Sequence, residues 1–273
     1  MKLQRLMLLL LSLAFCLTMN SPRSYAQAVQ AGKTYQQMTP DEQSEFVNSH
    51  ARSIGLAMSG KYYDFTPAYI ENIQKQVDRY AKRIGTNGRG FGDRDLREVI
   101  ERGKSQAPML IAAFKARNVS PLIGLYLPWI ESAYVNIQTP NAMGSIGMFQ
   151  FLPQTGERYG LAAADLVNVD KSADAAARYI SDSLEKFKDD PMKEALALLA
   201  YNRGGKQTAS DLKALVNDTN KQCSICALTA DSNKLDASFQ NESVYYVPSF
   251  FAAAIIGENP QAFGLQSRPL SSY

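Results

Sequence analysis

Residues 121–131 read PLIGLYLPWIE, and this stretch decides the fold. Ser120-Pro121 opens a helix with an N-cap residue followed by proline at the first helical position. From Leu122 to Ile130 the segment is apolar on every side, a pattern a helix shows when it is buried all round. Pro128 is costly inside a helix and predicts a kink near the end. The segment then delivers one carboxyl, Glu131. Between Arg117 and Glu157 no other Asp, Glu, Lys or Arg occurs. On a helix Glu131 stacks with Leu127 and Tyr134, one turn to either side. A carboxyl in such surroundings resists ionisation, so its pKa rises. It then holds a proton near neutral pH and can deliver it to a leaving oxygen. Position alone equally allows a plain glutamate at the solvent end of a buried helix, bonded to backbone amides.

Working outward, helical punctuation recurs along the chain. Thr66-Pro67 repeats the start signal and is followed by Tyr69, Ile70, Ile73, Val77, Tyr80 and Ile84 at helical spacing before Gly85. Asp190-Pro191 opens another helix, and Ala176, Tyr179, Ile180, Leu184 and Phe187 form an apolar stripe before it. From Val244 to Ile256 the spacing is again helical, with Pro248 in the first turn or kinking it. No stretch alternates in the manner of a strand, so the chain reads as all-α. Residues 27–60 are polar and weakly periodic, which predicts a loosely packed lead-in with one short helix after Thr39-Pro40. Residues 85–92, GTNGRGFG, separate two helices; they follow a helix rather than a strand and lack the Gly-Lys-Ser/Thr ending of a phosphate cradle.

The N-terminus sets the expected compartment. Lys2 and Arg5 precede an uncharged run from Leu6 to Leu17, and Ser24-Tyr25-Ala26 offers small residues at −3 and −1. These are the parts of a secretory signal peptide over residues 1–26, cleaved before Gln27 for release into a periplasm. Cys16 is a poor lipidation site because Phe15 precedes it. Three of the 29 bases lie in residues 1–26, which hold no acid, so 26 bases face 26 acids in the rest. A balanced charge points away from nucleic acid. Nor does any later segment predict a transmembrane anchor. One histidine, His50, and the pair Cys223 and Cys226 cannot assemble a conventional zinc site, and neither metal nor cofactor is expected. The Cys-x-x-Cys pair sits in a polar loop, where an oxidising envelope favours a structural disulfide. The polar stretch 203–241 around it predicts a flap over one end of a groove.

Four motifs then carry a resemblance. They are Leu127-Pro128-x-x-Glu131-Ser132-x-Tyr134; Gly147-Met148-Phe149-Gln150-Phe151-Leu152-Pro153-x-Thr155 with Tyr159-Gly160-Leu161; Leu199-Ala200-Tyr201-Asn202; and Glu242-Ser243-x-x-Tyr246-Val247-Pro248. Over residues 67–264 the chain resembles the catalytic domain of lytic transglycosylases, closest to the membrane-bound murein transglycosylase D type. The resemblance implies a lysozyme-like, goose-type fold over 105–266, after a polar and helical preamble at 27–104 and before a tail at 267–273. It implies Glu131 as the catalytic acid/base. Ser132, Thr139, Ser145, Met148, Gln150, Leu152, Tyr201, Asn202 and Tyr246 are the implied substrate-binding residues. The chain departs from the family where Arg203-Gly204-Gly205 replaces Ala-Gly, where Phe149 replaces a tryptophan, and where Thr139 or Ser145 must stand for a serine near the acid.

The implied substrate is the peptidoglycan glycan strand, with an envelope-complex partner left unidentified. The implied reaction is cleavage of the bond between N-acetylmuramic acid and N-acetylglucosamine, closing a 1,6-anhydro ring. A single acid suits that reaction, because no second acid lies near Glu131 in sequence, although Glu157 and Glu242 are distant candidates. Two alternatives stand beside it: a muramidase-type hydrolase using water, and a catalytically weak glycan-binding scaffold.

Overall fold

The computed structural model describes residues 32–88, 90 and 92–273. The signal peptide expected at 1–26, with Cys16, lies outside them. The described residues form an all-α fold without strands, apart from an isolated antiparallel bridge between Ile146 and Phe151. None of their helices is long and apolar enough to cross a membrane.

Helices α1 (Pro40–Ser59), α2 (Pro67–Ala81) and α3 (Leu96–Lys115) precede α4 (Pro121–Ser132). α4 is the decisive stretch, and α3 and α10 (Val244–Glu258) pack along it. Ile123, Leu125, Tyr126 and Leu127 are fully buried. The all-round apolar pattern is therefore met by protein on all sides. α3 comes in closest at Gly124, where a β-carbon would stand 2.6 Å from the Phe114 ring. α2, capped by the Thr66 hydroxyl, which accepts from the Tyr69 N–H at 3.3 Å, lies along α10 and carries α1 against it.

The lead-in differs from the sequence expectation. α1 runs for 20 residues and is closed at its start by a reciprocal Thr39–Glu42 capping box. Its buried residues, Phe46, Val47, Ala51, Ile54 and Met58, keep three- and four-residue spacing on one face. Polar residues on the other face dilute that stripe, which is why composition reads it as loose. Before α1, Tyr35 packs on Phe46 and Phe263 with ring centroids 5.6 and 5.0 Å away and gives its hydroxyl to Asp78 at 2.7 Å. Tyr63 likewise donates to the buried Glu194, 131 residues on, at 2.8 Å. The lead-in shares the apolar core of everything that follows.

The second half places α5 (Pro153–Arg158), α6 (Val169–Lys186), α7 (Lys193–Arg203), α8 (Gly205–Leu215) and α9 (Ser224–Ala230) before α10. α6 packs on α7, and α7 on α8. A π-helical turn, Phe239–Ser243, leads directly into α10, and Pro248 sits inside that helix rather than at its start. Past α10 the chain end folds back. Glu258 accepts from the Tyr126 and Ser271 hydroxyls and from the Ser271 N–H at 3.1 Å. Leu270 is fully buried.

Leu270 thus belongs to the core. Leu270→Ala should lower stability by about 2–5 kcal/mol, the usual cost of emptying a buried leucine site. Thermal unfolding measures it, and an unchanged midpoint would show that the chain end contributes nothing.

Candidate active site

Glu131 is the penultimate residue of α4. The two residues that follow the helix, Ala133 and Tyr134, both take left-handed backbone, with φ of 52° and 59°. Non-glycine residues pay about 1–3 kcal/mol each for such conformations, so surrounding contacts must hold them. The Ala133 N–H donates to the Trp129 carbonyl at 2.9 Å and the Tyr134 N–H to the Pro128 carbonyl at 3.2 Å. Arg102 Nε caps the Ala133 carbonyl at 2.9 Å, and the buried Tyr134 hydroxyl reaches the Leu125 carbonyl at 2.7 Å. The turn aims Glu131 into a cavity of about 920 Å³.

Segments from several parts of the chain enclose this cavity. α2 and the turn that follows it supply Gln76, Arg79, Tyr80 and Arg83; the loop before α5 supplies Ser145, Gln150 and Leu152; the end of α7 supplies Tyr201, Asn202 and Arg203; and the π-turn with α10 supplies Glu242 and Tyr246. Gln150 has a left-handed backbone, φ 50°, and its amide donates to the Gly147 carbonyl at 2.7 Å. Gly147 itself needs its φ of +82° and its missing side chain, because a β-carbon would lie 2.2 Å from the Leu166 carbonyl oxygen. Across the cavity, the Tyr201 hydroxyl donates to the Phe149 carbonyl at 2.9 Å. Asn202 donates to Glu242 at 2.9 Å and accepts from the Ser243 hydroxyl at 2.7 Å. The amide therefore joins the third motif to the fourth.

The electrostatics centre on Glu131. Burial is the largest influence on its carboxyl and pushes the pKa up to about 7. The Tyr246 hydroxyl, which donates to Oε1, works in the opposite sense by favouring the carboxylate. The nearby Glu242 charge raises the pKa further. Burial also holds the Tyr201 and Tyr246 hydroxyls well above the ordinary phenol value, so both stay protonated donors.

The expected site residues divide accordingly. Ser145, Gln150, Leu152, Tyr201, Asn202 and Tyr246 line the cavity with Glu131. Ser132, Thr139 and Met148 do not. Ser132 is fully buried and gives its hydroxyl to the Met148 carbonyl at 2.8 Å, so the two brace the wall from behind. Thr139 is exposed and does not line the cavity, whereas Ser145 does. Of the two distant carboxylates, Glu157 is exposed outside the cavity, whereas Glu242 lines it. Sequence reasoning did not find Arg79, Arg83 and Arg158, which also border it, nor that Trp129 forms part of the wall.

Arg203, one of the departures from the family pattern, is a structural pin. Its guanidinium binds Asp211 and, at 2.8 Å, Asp236, and lies 5.0 Å over the Phe239 ring. This ties 203–241 to the cavity edge at Arg203, Gly204 and Ser238. The bonded pair Cys223–Cys226 lies farther along the same stretch, where Cys226 Sγ accepts from the Thr66 N–H at 3.5 Å at the start of α2.

Residues 108–222 match the family described as Transglycosylase SLT domain, whereas no curated protein matches the chain. The matched span begins within α3, includes Glu131, Gln150, Tyr201 and Asn202, and ends short of Glu242 and Tyr246. Its lysozyme-like, all-α character agrees with the fold. Over those residues the match supports a lytic transglycosylase domain and, more generally, transglycosylase action on peptidoglycan.

Proposed function

We propose that the chain is a periplasmic lytic transglycosylase that cuts glycan strands between N-acetylmuramic acid and N-acetylglucosamine, with Glu131 as acid and then base. The carrying observation is the Glu131 carboxyl, its pKa pushed up to about 7, facing a large cavity. Such an acid is protonated often enough to donate and acidic enough to release the proton. In the first step the Glu131 proton goes to the bridging oxygen, and the bond from that oxygen to muramic C1 breaks. The 2-acetamido group of the same sugar assists at C1. In the second step the Glu131 carboxylate takes the proton of the muramic 6-hydroxyl, and O6 closes on C1. Glu131 ends protonated and no water is consumed. Tyr246 suits the middle of this cycle, because its hydroxyl stabilises the carboxylate left after the first transfer. The four motifs favour the membrane-bound murein transglycosylase D type, a finer placement than the family match draws.

Glu242 supports one competing reading. Hydrolases use two carboxylates, and Glu242 shares the cavity and acts on Glu131. A muramidase would then employ it to direct water. Asn202 already engages Glu242, which favours a groove-building role.

Product analysis separates the readings. Mass spectrometry of digested sacculi should find 1,6-anhydromuramic ends and no reducing muramic ends; reducing ends would support the hydrolase. Glu131→Gln keeps size and hydrogen-bonding reach but cannot carry the proton. Its turnover should fall by roughly 10²–10⁴-fold, and undiminished turnover would overturn the assignment.

The pH dependence has a defined sign. Activity requires the protonated acid at the start, so kcat/KM should decline as pH rises through about 7. Removing the Tyr246 hydroxyl withdraws a bond that favours the carboxylate, so Tyr246→Phe should move that limb to higher pH. A limb that stays in place would show that Glu131 does not set it.

Stability should follow the same group. The folded pKa of Glu131 lies above its ordinary value of 4.5, so ionisation costs stability as pH rises from about 4.5 to about 7. Glu131→Gln lacks this loss. Its thermal midpoint, compared with that of the natural protein, should gain steadily over that window and then level off.

A further inference from the structure

A second cavity, of about 450 Å³, opens at the start of α4, at the other end of that helix from Glu131. Eleven residues separate Ser120 from Glu131, or roughly 16 Å along the helix axis. α1, the end of α3, the start of α4 and the end of α10 meet around this cavity together with Ser271. Its walls are aliphatic at Ile54, Ile111 and Leu122. Two opposite charges also line it, Lys115 and Glu258, and among the described residues no other Asp, Glu, Lys or Arg does. The two do not pair with each other, and neither joins a salt bridge with any described residue. Glu258 instead takes hydrogen bonds from uncharged donors, the Tyr126 hydroxyl and Ser271. Its charge is thus held in place without being neutralised. His50 lines the cavity as well but brings no charge there. Its Nδ1–H goes to the Phe46 carbonyl at 2.7 Å, and burial holds its pKa below the usual value. The Ser120 hydroxyl, at the N-cap of α4, is buried and has no hydrogen-bond partner among the described residues.

A cavity of this size, with apolar walls and a few polar groups converging on it, has the make-up of a small-ligand site. Its distinguishing property is the gap between the two charges. A ligand with one charge leaves the opposite wall unmatched, whereas a ligand with both matches each. We propose that this cavity binds a small zwitterion with an aliphatic body, of the class of a free amino acid such as leucine. The carboxylate would meet Lys115 and the Ser120 hydroxyl, where the start of a helix also favours an anion. The ammonium would meet Glu258, and the side chain would lie on Ile54, Ile111 and Leu122. Hydrogen bonds to charged groups at both ends supply the selectivity. Glu258 is half-buried and Lys115 exposed, so salt should weaken the carboxylate end more than the ammonium end. No residue of the Glu131 cavity takes part, so the site stands apart from the transglycosylase reading.

The test is a nuclear magnetic resonance titration of the full chain with leucine and two analogues that each lack one charge, 4-methylpentanoate and 3-methylbutylamine. Leucine should bind about 10-fold tighter than either, the scale of one hydrogen bond to a charged group. Amide shifts should concentrate around Ser120 and Ser271 rather than around Glu131. K115Q should bring leucine level with 3-methylbutylamine, and E258Q should bring it level with 4-methylpentanoate. Glu258 also holds Tyr126 and Ser271, so thermal unfolding checks each variant; should E258Q unfold, K115Q carries the test. An analogue that binds as tightly as leucine, shifts confined to the Glu131 cavity, undiminished leucine binding in K115Q, or no binding by any of the three compounds would each overturn the proposal.

Discussion

Everything at the site depends on one burial, that of the Glu131 carboxyl at the end of α4. A helix that is apolar on all sides has no solvent face, so α3 and α10 must enclose it. The enclosure ends where the helix ends, and Glu131 emerges there into the cavity. Desolvation makes the carboxyl a weak acid with a pKa of about 7. Tyr246 and Glu242 then pull it in opposite directions. Burial remains the largest influence, so the carboxyl keeps its proton up to near-neutral pH.

Holding that carboxyl in place recruits distant parts of the chain. Ala133 and Tyr134 adopt costly backbone conformations, and Arg102 and the Tyr134 hydroxyl restrain them. The end of the chain joins this support at Gly103, where a β-carbon would meet Tyr134 at 2.9 Å and Leu270 at 3.0 Å. Glu258, clasping Tyr126 and Ser271, fastens the same end to α4. Lead-in, tail and α4 are therefore coupled through contact rather than arranged as independent pieces. Strain at the acid is offset by packing far from it.

The departures from the family pattern gain physical content in the same way. Arg203 sits where a small residue is usual, yet its charge is matched by Asp211 and Asp236, and its flat face rests on Phe239. Removing one partner from such a buried set leaves a charge unpaired, which is costly. The segment 203–241 is consequently anchored at the cavity edge. Phe149, in place of a tryptophan, is fully buried and acts through its backbone, whose carbonyl takes the Tyr201 hydroxyl.

Sequence by itself determined the helical class, the burial of α4, the standing of Glu131 as an isolated acid, and the motif residues that line the cavity. These properties are local: periodicity, caps and a gap in charge are all written within a few turns of chain. It also marked Cys223 and Cys226 as a pair. Only the tertiary structure decided which acids share a space. Glu242 lies 111 residues from Glu131 and reaches the cavity because α10 lies along α4, while Glu157, far nearer in sequence, faces away. The same holds for Ser132 and Met148, whose positions in a motif suggested substrate contact, although their side chains turn inward to brace the wall. Arg79 and Arg83 read as ordinary surface charge on an amphipathic helix. They border the cavity because α2 packs against α10, and that approach of two segments more than 160 residues apart depends on three-dimensional packing, which no local pattern encodes.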